Sequence, residues 1–278
     1  MNDRICLYVS PLRRINSYYQ FIDLAAERGI KYIETVNQYE LARPDIEEAK
    51  KIKNYADEKG VEIVCASLCV NLVSEGREEN IKLAEKYADI AAILGSKYFH
   101  HTIACEFENP QSIKDNFELY YRQGLEAVRE IYDYARTLGI RTVFEDQGFL
   151  FNGVENFGRF LNDVGRDVGV VADFGNIMFV DDTVERFIPA FSDRIVNIHV
   201  KDYIITDREN GEYMTYHGNY LKRCALKKGN VDFDAAFECI RAMGYKGTFS
   251  LECSVTEDDE EKLFAHNIAV LDGYISAL

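Results

Sequence analysis

The chain has 278 residues, of which 47% are hydrophobic, and a formal net charge of −15. This length fits one α/β barrel, and the apolar content is sufficient for a large buried core, which excludes a disordered chain. The acidic balance argues against nucleic acid or an anionic membrane as partner, because both bind through cationic surfaces. A small uncharged molecule is the expected partner.

The N-terminal segment MNDRICLYVS has no basic region followed by an apolar stretch, and the chain has no apolar run long enough to cross a bilayer. We therefore expect a cytoplasmic protein. The seven cysteines include no CxxC pair. We predict that they are reduced and buried as small apolar side chains.

A repeat of helix, glycine and strand runs through the first half of the chain. Amphipathic segments end at Gly29, Gly60, Gly95 and Gly139, and each leads into a short apolar run. A glycine in the left-handed conformation ends a helix without steric cost, and an apolar run after it is typical of a buried parallel strand. The apolar spacing predicts helices at residues 17–28, 45–59, 78–94 and 115–138.

The strand pattern predicts the fold class. Eight runs are expected to be strands, at residues 5–9, 30–34, 61–67, 96–101, 140–146, 168–173, 195–199 and 247–252. Eight alternating units, with no linker between them, predict an α/β protein with a single (β/α)8 TIM barrel domain over residues 1–278. Residues 201–230 lack the repeat, and we predict an irregular lid or substrate loop there.

Four of the predicted strands end in residues that bind metals. These residues are Glu145, Asp173, His199 and Glu252. All strands of a parallel barrel end on the same face, so the four side chains should meet at one rim. Each alone could cap a helix or pair with a basic residue, but the set favours one divalent metal ion. Three carboxylates and an imidazole suit Mn²⁺ first, with Mg²⁺, Co²⁺ and Zn²⁺ as alternatives.

Five segments around these residues resemble a known family. FEDQGFL, VADFGN, NIHVKD, GNYLKR and GYKGTFSLE are similar to segments of the xylose-isomerase-like TIM barrel superfamily of sugar isomerases and epimerases. The resemblance covers nearly the whole chain. It implies that Glu145, Asp173, His199 and Glu252 bind the metal and that Glu145 and Glu252 also serve as acid and base on a sugar or polyol. It further implies that copies of the chain can pair as homo-oligomers.

The implied reaction is proton transfer next to a carbonyl. A metal stabilises the enediolate that forms when this proton is removed, and a pair of glutamates can return the proton to the other face or to the adjacent carbon. The first outcome is epimerisation, and the second is aldose–ketose isomerisation.

Two positions depart from the ketose 3-epimerases of this superfamily. Those enzymes resemble this chain but carry a histidine where Asn176 stands and an arginine where Ile205 stands. The HVKD run is more similar to inosose dehydratases and general isomerases. That similarity implies that Lys201 and Asp202 face the substrate or orient the metal ligands. Asn176 is a candidate substrate-binding residue.

Three further polar residues have two open interpretations. Glu34 ends the second strand, His101 ends the fourth, and His217 lies in the segment predicted as a loop. Each could bind a substrate hydroxyl. Glu34 and His101 could equally make a structural contact, whereas for His217 a solvated loop residue is the favoured interpretation.

Three other functions remain as alternatives to an isomerase or epimerase. A metal-dependent lyase or dehydratase would remove the same proton and expel a substituent from a keto-cyclitol or a 3-keto-glycoside. An abasic-site endonuclease shares the barrel but generally needs more histidines and a basic face, against which the acidic charge argues. A non-catalytic metal-stabilised binding protein is the last alternative.

Overall fold

A closed barrel of eight parallel strands forms the centre of the molecule. The computed structural model describes residues 2–8, 12–73, 75–104, 110–252 and 259–278. The order around the barrel is β1-β11-β7-β6-β5-β4-β3-β2, which confirms the predicted (β/α)8 fold. Its strands are β1 (Ile5–Leu7), β2 (Tyr32–Thr35), β3 (Glu62–Leu68), β4 (Tyr98–His101), β5 (Arg141–Glu145), β6 (Gly169–Asp173), β7 (Ile195–Val200) and β11 (Phe249–Leu251).

Helices surround the barrel. In chain order they are α1 (Tyr18–Glu27), α2 (Ile46–Lys59), α3 (Arg77–Leu94), α4 (Pro110–Thr137), α5 (Val154–Val164), α6 (Val184–Ala190), α7 (Phe233–Ala242) and α8 (Glu260–Ser276). The four predicted helices correspond to α1 to α4, and α4 contains a break at Asn116. Ser17 and Asp45 cap α1 and α2 by accepting hydrogen bonds from backbone amides of the first turn.

The predicted glycine caps are also confirmed. Gly29, Gly60, Gly95 and Gly139 have φ angles of 67°, 70°, 69° and 76°. A side chain at these left-handed positions would be strained, so glycine lets each helix end and the chain turn into the next strand.

The prediction of an irregular loop at residues 201–230 was wrong. This segment forms a three-stranded antiparallel sheet, the accessory sheet, with the order β8-β10-β9. Its strands are β8 (Asp202–Thr206), β9 (Tyr213–Met214) and β10 (Tyr220–Cys224). The runs DYIIT and YLKRC carry the β-branched and aromatic residues of strands, but they pair with each other rather than with the barrel, so they do not follow the βα repeat.

The apolar core has two layers, one between the barrel and the helices and one inside the barrel. The polar residues of the candidate site lie at one end of the inner layer. Large aromatic side chains such as Phe99, Phe144 and Phe160 are fully buried between the barrel and the helices. Inside the barrel, a small cluster contains Cys6, Val64, Cys65, Val143 and Val171. The candidate site described below is built on this packed floor, which gives it rigid support.

Five cysteines lie within the described residues, and all are free thiols. Cys6 and Cys65 are buried as predicted, but Cys69 is exposed, which corrects the expectation for that residue. Cys105 and Cys253 lie outside the described residues. None of the helices described has the length and apolarity needed to cross a bilayer.

Candidate metal centre

Glu145, Asp173, His199 and Glu252 meet at the carboxyl-terminal end of the barrel. Ligand atoms from the four side chains all lie within 4.8 Å of one another. His199 Nδ1 is 2.9 Å from Glu145 Oε1, 3.2 Å from Glu252 Oε2 and 3.9 Å from Asp173 Oδ2. One imidazole nitrogen therefore faces three carboxylates.

Lys201 is adjacent to this cluster. Its ammonium lies 3.0 Å from both Asp173 Oδ2 and Glu252 Oε1, and its side chain is 10% exposed. The close approach requires a glycine at position 175, because a Cβ there would lie 2.7 Å from Lys201 Cγ and 2.6 Å from the Tyr203 ring. Gly175, the glycine of the VADFGN segment, thus has a packing role.

The electrostatics of the cluster show an excess of negative charge. Burial lowers the pKa of His199, but Glu34 and Glu145 raise it more, so its pKa lies well above the ordinary value. Burial, aided by the charges of Glu145 and Glu252, raises the pKa of Asp173 well above its usual range despite the opposing effect of Lys201. The cluster therefore contains more carboxylates than positively charged groups to neutralise them.

The donor set fits a divalent metal ion. Within the described residues, Asp173 Oδ2 is buried and its close contact is the Lys201 ammonium at 3.0 Å, so a metal ion would bind this oxygen beside or in place of that ammonium. Carboxylate oxygens and one imidazole nitrogen are ligands that Mn²⁺, Mg²⁺, Co²⁺ and Zn²⁺ accept. The residues that would hold the ion are Glu145, Asp173, His199 and Glu252.

Glu34 lies under His199 inside the barrel, where it is 1% exposed. Its Oε1 is 3.1 Å from His199 Nε2 and 2.7 Å from Asn197 Nδ2, and it also accepts a hydrogen bond from Ser250 Oγ. Burial raises the pKa of Glu34, but His199 and these hydrogen bonds bring it below its ordinary value. The carboxylate therefore holds a proton on Nε2 and leaves Nδ1 facing the other carboxylates, where this nitrogen would bind a metal ion after losing its own proton.

We expect Glu34→Gln to weaken Mn²⁺ binding by about 10- to 100-fold, because a neutral amide orients His199 less firmly than a carboxylate does. Calorimetric titration of the metal-free protein measures this. Glu62→Gln is the matched control, since Glu62 is a surface partner of Lys97 at the start of β3. An unchanged Mn²⁺ affinity in a folded Glu34→Gln protein would contradict the assigned role.

Asp173 is fixed by its second oxygen. Its Oδ1 accepts hydrogen bonds of 2.7 Å from the backbone amides of Gly175 and Asn176, at the start of a short 3-10 helix, Asn176–Val180. The backbone amide of Asp173 in turn donates to Asp146 Oδ1 at 2.8 Å. Burial, together with the nearby Asp173, raises the pKa of Asp146 well above its usual range. Sequence reasoning missed Asp146, although it directly follows Glu145.

The two histidines of β4 lie on opposite faces of the barrel wall. His100 Nε2 is 3.9 Å from Glu145 Oε2, and its Nδ1 is 3.3 Å from Ser67 Oγ, so His100 faces the interior. The ring of His101 instead contacts Phe99 and Phe144 of the outer core layer, with ring centroids 5.6 and 5.0 Å apart. The geometry thus favours His100 over the predicted His101 as a neighbour of the cluster. Strand alternation is the signal that could have separated them.

The remaining predicted substrate residues have different surroundings. Asn176 is buried, and among the residues that the structure describes its Nδ2 has no hydrogen-bond partner. Asp202 accepts hydrogen bonds from the backbone amides of Gly229 and Val231 and so anchors the end of the accessory sheet. His217 is exposed on the turn between β9 and β10, where its ring contacts Tyr216. The structure therefore brings Asn176 to the cluster and leaves His217 outside it.

Two cavities border the glutamates. Glu252, Lys201 and Asn176 line a cavity of about 190 Å³ that extends to the accessory sheet. Glu145, His100 and His101 all line a much smaller one of about 10 Å³. Gln147 lines both, which places the cavities next to each other. The two glutamates therefore approach the mouth of the barrel from different sides.

A family model described as xylose isomerase-like TIM barrel matches residues 22–274. The chain belongs to this family. The match includes all four residues of the cluster, which lie between Glu145 and Glu252.

Individual relatives of this xylose isomerase-like barrel are distant. A Haemophilus influenzae protein provisionally named L-ribulose-5-phosphate 3-epimerase is 23% identical over 193 residues. The aligned region covers 67% of this chain and 62% of that protein, so less than two thirds of the relative is matched.

Two solved structures share the fold over almost their full lengths. D-psicose 3-epimerase with D-tagatose from Clostridium cellulolyticum H10 superposes with a TM-score of 0.78 at 15% identity, covering 98% of both chains. The apo form of 3-keto-D-glucoside 4-epimerase from E. coli superposes with a TM-score of 0.76 at 16% identity, covering 98% of this chain and 100% of the other.

Proposed function

We propose that this xylose isomerase-like barrel is a divalent-metal-dependent sugar epimerase or isomerase, with Mn²⁺ as the preferred ion. The observation that carries the proposal is the convergence of Glu145, Asp173, His199 and Glu252 within 4.8 Å at the barrel mouth. The names of the relatives support it, since each of the three reported above is an epimerase by name.

Glu145 and Glu252 act as the acid and base. A metal ion held by the four side chains would polarise the substrate carbonyl and stabilise negative charge beside it. Glu252 is 24% exposed at its side chain and lines the larger cavity, whereas Glu145 is 3% exposed beside the smaller one. Carboxylates approaching from different sides suit removal of a proton from one face of a carbon and its return to the other.

The surrounding residues keep both glutamates ionised. Burial raises the pKa of Glu252, but Lys201 and His199 lower it by a larger amount. The pKa of Glu252 therefore lies below its ordinary value. Burial has the same effect on the pKa of Glu145, and His199 again lowers it below the usual range. An ionised carboxylate can accept the proton next to a carbonyl, so either glutamate can act as base, and the other acts as acid by delivering to the opposite face a proton that it has first taken up from solvent.

We expect the Mn²⁺-loaded protein to exchange the hydrogen next to the carbonyl of at least one ketose with solvent. Incubation with ketoses and aldoses in D2O, followed by NMR, measures the loss of that signal together with the new epimer or isomer. Chelation of the metal should stop the reaction and added Mn²⁺ should restore it. If neither exchange nor a new sugar appears with any substrate, the proposed function is wrong. An unsaturated keto product would assign the site to a lyase instead.

A further inference from the structure

A separate cavity lies at the amino-terminal end of the barrel, opposite the metal centre. It is lined chiefly by residues at the starts of strands β1, β2, β4 and β11, and none of the four residues of the metal centre contributes to it. Its volume of about 400 Å³ compares with about 190 Å³ for the cavity beside Glu252. This volume lies within the roughly 300–1,000 Å³ that is typical of small-molecule sites.

This end of the barrel is basic, although the chain as a whole has a net charge of −15. Five of the eight barrel strands begin at or directly after a lysine or arginine, and these residues are Arg4, Lys31, Lys97, Arg141 and Arg194. Two carboxylates at the same end pair with members of this set, Glu62 with Lys97 and Asp167 with Arg141. Positive charge that collects at one end of an acidic protein attracts anions to that end.

Three cations line the cavity itself. Arg4 is held in place by hydrogen bonds of 3.0 and 2.8 Å to two backbone carbonyl oxygens of the loop before β11. Lys97 lies 2.9 Å from Glu62, whereas Lys246 is exposed and pairs with no carboxylate of the described residues. Asp3 is the acidic residue among those that line the cavity. The cavity therefore has an excess of positive charge that an anionic ligand would neutralise.

Two tyrosines contribute both apolar surface and hydrogen-bond donors to the cavity. Tyr32 and Tyr98 are half-buried and pack against the apolar cluster inside the barrel. Within the part of the chain that the structure describes, neither phenol hydroxyl has a hydrogen-bond partner. A phenol hydroxyl can donate to an anionic oxygen, and the ring beside it can contact the carbon skeleton of the same ligand.

This combination of groups favours a phosphorylated molecule over a neutral sugar. A phosphate monoester carries close to two negative charges at neutral pH, and it accepts several hydrogen bonds. Lysine binds phosphate as a point charge, so two lysines and an arginine around one cavity suit it. A cavity of about 400 Å³ also has room for the organic part that carries the phosphate.

We propose that the amino-terminal cavity is a binding site for a small phosphorylated molecule. Lys97 and Lys246 bind the phosphate, and the rings of Tyr32 and Tyr98 contact the carbon skeleton. The site is separate from the metal centre, so its occupation requires neither Mn²⁺ nor the sugar chemistry proposed above. A ligand that binds here only in the folded state also stabilises the protein by mass action.

The test is calorimetric titration of the protein, stripped of metal on a chelating resin, with ribose 5-phosphate and with inorganic phosphate. We expect both to bind, and ribose 5-phosphate to bind more tightly because its carbon skeleton adds contacts. Lys246→Ala should weaken binding of ribose 5-phosphate about tenfold, as loss of a hydrogen bond from a charged donor does. Lys246→Arg should retain most of the affinity. Tyr98→Phe, which removes the hydroxyl and keeps the ring, should weaken binding about threefold.

Lys31→Ala is the matched control, since Lys31 is exposed at the same end of the barrel but does not line the cavity. It should change the affinity by no more than about twofold. Equal losses in Lys31→Ala and Lys246→Ala would indicate attraction to the whole basic end, and they would overturn the assignment to this cavity. It would also be overturned if the wild type did not bind ribose 5-phosphate, if it bound inorganic phosphate more tightly, or if Lys246→Ala kept the wild-type affinity.

Discussion

Glu145→Gln is expected to lower kcat for epimerisation by about 10²- to 10⁴-fold, because an amide cannot take up the proton that the carboxylate accepts. The amide oxygen can still serve as a weaker ligand, so the assay is run at saturating Mn²⁺ with the bound metal measured by calorimetry. The same substitution at Glu252 should have a comparable effect. NMR of the sugar in D2O follows both variants.

The two glutamate variants should also differ from each other. Each is expected to keep solvent exchange with the epimer that its remaining glutamate deprotonates and to lose exchange with the other. Glu155→Gln is the control, since Glu155 is an exposed partner of Arg186 at the start of α5. Unchanged turnover by metal-loaded Glu145→Gln would remove that residue from the acid–base pair.

Lys201→Met is expected to destabilise the metal-free protein by about 3–5 kcal/mol, because it leaves Asp173 and Glu252 without their buried cation. Methionine retains most of the volume of lysine, so the loss reports charge rather than packing. Urea unfolding with a chelator present measures the effect. With Mn²⁺ added, the destabilisation should shrink, since the ion supplies positive charge to the same carboxylates.

Lys97→Met is the matched control for this substitution. Lys97 is 63% exposed and pairs with Glu62 on the surface, so its loss should cost at most about 1 kcal/mol. Equal effects of Lys97→Met and Lys201→Met in the chelated protein would show that the cluster does not depend on the Lys201 charge.

The local signals in the chain were sufficient for the barrel. Apolar runs after glycines predicted strands β2 to β5, and these glycines are Gly29, Gly60, Gly95 and Gly139. The prediction succeeds because a left-handed glycine ends a helix, and an apolar run forms a buried strand, through interactions that depend on the local sequence. The accessory sheet was missed for the opposite reason. Its strands β8 and β10 form their backbone hydrogen bonds with each other. The sequence contains no local repeat that predicts a strand pairing outside the barrel.

For the candidate site, the sequence predicted which residues end the strands, but it did not predict which side chains those residues contact. Glu145, Asp173 and His199 were predicted to converge because parallel strands end on one face, and their ligand atoms do lie close together. Which of His100 and His101 faces inward depends on where the alternation of β4 starts. Apolar residues on both faces of a parallel strand hide that alternation.

The sequence by itself determined that four strand ends would present three carboxylates and an imidazole at one rim, because the closed parallel barrel follows from the period of its units. Only the tertiary structure decided what surrounds them. Glu34 lies under His199 across 165 residues of sequence, and Lys201 reaches Glu252 across 51. Contacts between distant strands depend on stagger and side-chain direction, which local patterns do not encode.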